Sequence, residues 1–99
     1  MKQISLKKGL EKLGYTNITV SRGFNYRSGF MEKDGQLYYF STSDIRFDKP
    51  TNSMFVLTRT AEHRRDFTGG VNTYHVVNDL AKLGYVLNIP RLNCDYNGR

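Results

Sequence analysis

One cysteine, two prolines and no tryptophan stand in 99 residues, and the cysteine count already closes off two classes of answer. The lone thiol, Cys94, makes no intrachain disulfide and no cysteine-cluster zinc site. The setting this predicts is reducing and cytoplasmic, although extracellular domains without disulfides also exist. No apolar run approaches the roughly 20 residues that cross a bilayer, and Met1-Lys2-Gln3 leads into an amphipathic stretch instead of a signal-peptide core. No membrane partner is expected. Neither Gly-x-x-x-x-Gly-Lys-Ser/Thr nor Gly-x-Gly-x-x-Gly occurs, so no nucleotide cofactor is predicted.

Acidic residues are also few. Nine Asp and Glu against fifteen Lys and Arg give a net charge of +6 and a pI near 9.6. By charge alone that balance favours nucleic acid, an acidic protein surface or an anionic membrane as partner, of which the first two are kept, while a charge of this order also serves solubility alone. What is plentiful is rings: 13% of residues are aromatic within 38% apolar, at a mean hydropathy of −0.57. A chain of this length has room for one domain with a thin, ring-rich core. The boundaries expected are 1–90 for the domain and 91–99 for a C-terminal tail that contains Cys94.

The periodicities predict an α+β, two-layer fold, a mainly antiparallel sheet of four to five strands with two helices on one face, in the order α-β-β-β-β-α-β. Ser5 is placed to cap a helix whose Leu6, Leu10 and Leu13 share a face, with Gly14 ending it. Gly9 inside that helix costs about 1 kcal/mol relative to Ala and marks a close approach to the sheet. Asn17 to Arg22 alternates as a strand, Ile18 and Val20 on one side and Thr19 and Ser21 on the other.

Tyr26 to Lys33 and Gln36 to Ser41 flank Asp34-Gly35, the signature of a tight hairpin. Its register sets Lys33 opposite Gln36, Met31 opposite Tyr38, Phe30 opposite Tyr39 and Gly29 opposite Phe40. After a turn-rich stretch, with a single helical turn over Ser43-Asp44-Ile45-Arg46 and a loop at 48–52, Met54 to Thr60 reads as a central strand, apolar on both sides. Asn72 or Thr73 is expected to cap a helix to Leu83 with Tyr74, Val77, Leu80 and Ala81 inward and His75, Asn78, Asp79 and Lys82 in water. A last strand, Tyr85 to Ile89, stops at Pro90. The echo Leu10-Glu-Lys-Leu-Gly-Tyr15 and Leu80-Ala-Lys-Leu-Gly-Tyr85 predicts two helices leaving the same sheet by the same exit.

The stretch Arg59-Thr-Ala-Glu-His-Arg-Arg-Asp-Phe-Thr-Gly-Gly70 concentrates the candidate chemistry. Arg59, Arg64 and Arg65 with His63, ahead of Thr68, Gly69 and Gly70 at an expected helix mouth, would converge on phosphate or carboxylate. The same residues also suit a solvated connection. Arg27, Tyr38 and Phe40 share one face of the hairpin, which is a platform for bases if nothing covers it and an ordinary buried face if something does. Metal-assisted or general-base chemistry would need His63, His75, Glu62 and Asp66 to meet, and nothing in their spacing forces that. No metal and no catalytic residue is assigned, and the chain leans away from being an enzyme.

The front half, from Leu10-Glu-Lys-Leu-Gly-Tyr15 through Ser21-Arg22-Gly23 and the hairpin, resembles the double-stranded-RNA-binding-type fold of HicA-like toxin ribonucleases over about the first forty residues. Those toxins carry a Gly-Ser-His-type signature where this sequence reads Gly23-Phe24-Asn25, so the resemblance brings over no catalytic residue. In general character the chain is similar to small proteins of bacteria and their mobile elements. The function expected is non-enzymatic contact with RNA or DNA, the alternative being a protein-interaction or inhibitor module that meets an acidic partner.

Overall fold

The computed structural model describes residues 1–23, 26–43 and 55–90. The expected helical turn at 43–46, the loop at 48–52 and the tail at 91–99 with Cys94 fall wholly or partly outside the described residues. The elements run β1 (Lys2–Ile4), α1 (Leu6–Lys12), β2 (Thr16–Arg22), β3 (Tyr26–Lys33), β4 (Gln36–Ser43), β5 (Val56–Thr60), α2 (Val76–Lys82) and β6 (Tyr85–Leu87). This is the expected α+β order with one short strand added in front.

Four strands form an antiparallel sheet in the order β2-β3-β4-β5, and β1 pairs in parallel with β6 in a separate two-stranded sheet. The hairpin takes the register read from Asp34-Gly35, from Lys33↔Gln36 through Gly29↔Phe40. Both turn residues have positive φ, 52° and 79°, as a two-residue turn matched to strand twist requires.

Two expectations about strands are corrected. β5 is an edge strand, since among the described residues its only ladder partner in the sheet is β4. Its apolar outward residues have a local cause: Leu57 is half-buried, and Phe55, ahead of the strand, lies 4.8 Å from the Tyr74 ring. The free side of β5 is partly closed by Thr73, whose N–H and C=O exchange hydrogen bonds with Thr58 at 2.8 and 2.9 Å. The last strand, in turn, joins β1 instead of the main sheet, because Lys2-Gln3-Ile4 offers it a parallel edge too short to show as a period in sequence.

Both helices cover one face of the four-stranded sheet. Leu6 and Leu10 of α1 and Val76 and Leu80 of α2 meet Met31, Phe40 and Val56, with Leu87 and Ile89 closing the end. Ser5 caps α1 through its hydroxyl, which accepts from the Lys8 N–H at 3.4 Å. Gly9 serves helix–helix packing more than sheet contact: a Cβ there would stand 2.9 Å from Leu80 Cδ1.

α2 is shorter than expected. Thr73 is engaged with β5, so the helix begins at Val76 with no side-chain cap, and Tyr74 is left half-exposed. The sequence echo is structural at both exits. Gly14 and Gly84 have φ of 98° and 88°, and the Gly14 and Tyr15 N–H groups bond back to Glu11 and Leu10, closing the helix's last carbonyls.

Candidate nucleic-acid interface

Residues 61–72 leave β5 and cross the outer face of the sheet, the face away from the helices. The loop is built around Asp66. One carboxylate oxygen accepts from the Glu62 N–H at 2.9 Å, and the other accepts from the N–H and hydroxyl of Thr68 at 3.1 and 3.3 Å. Those donors hold the Asp66 carboxyl below the usual carboxylate range, the Glu62 N–H first among them. His63 takes a similar part: its Nδ1 accepts from the Arg65 N–H at 3.2 Å. The acid and the imidazole that a catalytic reading would need are both engaged in shaping the loop.

Two arginines and a phenylalanine fasten this strap to the sheet. Arg59, on β5, lays its guanidinium 4.3 Å from the centroid of the Tyr39 ring and donates to the Phe67 carbonyl, while its Nε is buried without an acceptor among the described residues. Phe67 packs on Phe30 and Tyr39 at centroid distances of 5.6 and 5.8 Å. At the far edge Arg64 donates to the Asn17 carbonyl at 2.9 Å, to the Thr19 hydroxyl at 3.2 Å and to Glu32 at 3.0 Å. Arg64 and the Asn17 amide together lower the Glu32 pKa, the arginine contributing more. From β5 to β2 the strap spans three strand spacings, about 14 Å.

The expected site residues therefore divide. Arg59, Arg64 and the exposed Arg65 lie on the strap or under it, but Arg59 and Arg64 grip different strands and form no single recess. Thr68 closes the Asp66 turn, and Gly69 and Gly70 lie against Asp66 and Thr60, several residues before α2. None of the three opens a helix, so the helix-mouth anion site is not formed. His63 and His75 have separate partners: the Nε2 of His75 meets the Tyr15 hydroxyl at 3.1 Å and its Nδ1 lies 3.4 Å from the Thr73 hydroxyl. Among the described residues no group of three or more His, Cys, Asp or Glu is arranged to hold a metal ion.

The proposed platform of Arg27, Tyr38 and Phe40 is corrected outright, because it is the face the helices cover. Phe40 is 0% and Arg27 5% exposed, and Tyr38 packs edge-on against Tyr15 at 5.7 Å. Arg27 donates to the carbonyls of Gly23, Tyr26 and Pro90, which explains how its charge is tolerated there. Accessible rings lie on the opposite face instead: Tyr26 is 45% and Phe67 59% exposed. Phe67 is the residue that the sequence reasoning passed over. Its signal was a lone large apolar side chain inside an otherwise polar loop, which calls for a partner surface.

The fold and this surface define a small basic α+β protein with an aromatic, arginine-edged sheet face. Compared with models of known families, with curated proteins and with solved structures, the chain finds no match, and the resemblance to HicA-like toxin ribonucleases gains no support there. No helix among the described residues is long and apolar enough to cross a membrane.

Proposed function

We propose that this chain binds single-stranded nucleic acid, RNA or DNA, on the outer face of its four-stranded sheet. The observation that carries the reading is the Phe67 ring, well over half exposed yet held in place from below by Phe30, Tyr39 and the Phe67 carbonyl's bond to Arg59. An apolar ring kept in water on a preformed support loses little entropy when a base stacks on it, and base–aromatic stacking is indifferent to sequence. Arg65, two residues earlier on the same loop, is exposed and its guanidinium has no acceptor among the described residues, and the net charge of +6 supplies the long-range attraction.

A duplex presents no unstacked base to such a ring, so single strands are the preferred substrate. The role proposed is non-enzymatic, in a reducing cytoplasm, the setting that a single thiol suits. The test is a salt-series electrophoretic binding assay with single-stranded RNA, single-stranded DNA and duplex DNA. Affinity for single strands should fall steeply as salt rises. Absent or salt-insensitive binding to all three ends the proposal.

A further inference from the structure

The free edge of β2 and the groove beside it make a second surface, which the strap reaches through Arg64, at Asn17 and Thr19. In the β2–β3 ladder the Gly23 N–H bonds the Tyr26 carbonyl at 3.0 Å, with Ser21 opposite Ser28 and Thr19 opposite Phe30. Antiparallel pairs alternate between bonded and non-bonded, so Thr19, Ser21 and Gly23 turn their backbone groups to β3, while Val20 and Arg22 turn theirs outward. Arg64 caps the edge only at the Asn17 carbonyl. Beyond it no described residue pairs with the outward N–H and C=O groups of Val20 and Arg22. A strand edge left open in this way is a template for another strand.

Alongside that edge, between the start of α1, β2 and the chain after β6, lies a groove of about 260 Å³. Leu6, Val20 and Ile89 give it an apolar lining, Lys7 and Arg22 stand on it, and Arg27 contributes below. Among the described residues no acidic side chain lines it. Edge, apolar slot and like charges sit within one strand's reach of each other.

We infer that β2 receives an extended acidic segment of a partner protein by strand addition, an aliphatic side chain of the segment entering the Leu6–Val20–Ile89 groove and its carboxylates meeting Lys7 and Arg22. Main-chain hydrogen bonds supply affinity in this mode and alternate side chains supply specificity. Charge selects the occupant. A second copy of this chain would bring another net charge of +6 and the same two cations to the edge, whereas an acidic strand neutralises them. Nucleic acid has no strand edge to offer Val20 and Arg22.

The test is nitrogen-15 NMR on the full chain, titrated with short synthetic peptides that alternate Glu with Ile or Val, beside counterparts carrying Lys for Glu. The Glu peptides should slow hydrogen exchange at the Val20 and Arg22 amides and leave Thr19 and Ser21, already bonded to β3, unchanged. Val20→Pro removes an outward donor, a replacement that edge strands tolerate, and should weaken peptide binding about tenfold or more. If that variant does not fold, Arg22→Glu replaces it and should shift preference to the Lys peptides. The inference is overturned if the Glu peptides give no protection at Val20 and Arg22. Equal binding of the Lys peptides overturns it too, as does a peptide-free dimer, seen by sedimentation, that protects the same amides.

Discussion

Replacing Phe67 with alanine separates stacking from charge. The ring is 59% exposed, so truncation forfeits the burial of less than half a phenylalanine side chain, about 1 kcal/mol of folding stability at most. Folding should survive, and urea unfolding would measure the small loss. Binding is a different matter. Stacking on one aromatic is worth about 1 to 3 kcal/mol per base, which is about a 5- to 150-fold rise in Kd.

The salt dependence assigns the cause. Phe67→Ala removes no charge, so the slope of log affinity against log salt should match wild type while the whole line drops. Arg65→Ala should instead flatten the slope by about 0.7, the counterion release per phosphate on a single strand. Fluorescence anisotropy with a labelled oligonucleotide, at several salt concentrations, reads both. A Phe67→Ala protein that binds as tightly as wild type at every salt would refute stacking on the strap.

Three further outcomes test the framework around the site. Gly29→Ala would set a Cβ 1.8 Å from the Thr19 carbonyl oxygen. Since the neighbour is backbone and β2 must be pushed off β3, urea titration should show a loss of about 3 kcal/mol, and a much milder effect would mean that β2 gives way at Thr19 without leaving β3. Tyr15→Phe deletes the hydroxyl bonded to His75 and should cost about 1 kcal/mol. Burial, then Tyr38 and Asp79, raise the Tyr15 pKa, so its contribution is present below the ordinary tyrosine range and lost as pH rises through the raised folded value; wild type should therefore lose stability in alkali, and the phenylalanine variant should lose less. In acid the sign reverses. Glu32 and Asp66 have lowered folded values, so their contributions are intact above the ordinary carboxylate range and vanish as pH falls through the lowered ones. Protection of the Glu62 and Thr68 amides, referred to the intrinsic exchange rate at each pH, should fall only there, and loss of that protection already near neutral pH would contradict this.

The sequence by itself determined whatever depends on neighbours along the chain. Asp34-Gly35 set the hairpin and its register, because positive φ at two successive positions leaves one pairing. Ser5 and Gly14 bounded the first helix, and the Leu-Gly-Tyr echo foretold two equivalent exits. What it left open was which sheet face the helices would take, since rings at Phe30 and Tyr39 and rings at Tyr38 and Phe40 look alike in a period of two.

Tertiary structure decided that choice and, with it, the candidate site. Helix packing against Met31, Phe40 and Val56 buried the face offered as a platform, and the strap laid Arg64 and Phe67 over the other, where Arg59 of β5 already lies. Thr73 was drawn from the second helix to the β5 edge because unpaired strand groups there needed partners. Cation–ring contacts, the Arg64 bonds to β2 and the pairing of β1 with β6 all join residues far apart in sequence. Local preference carries no information about such meetings, which exist only once the chain has closed on itself.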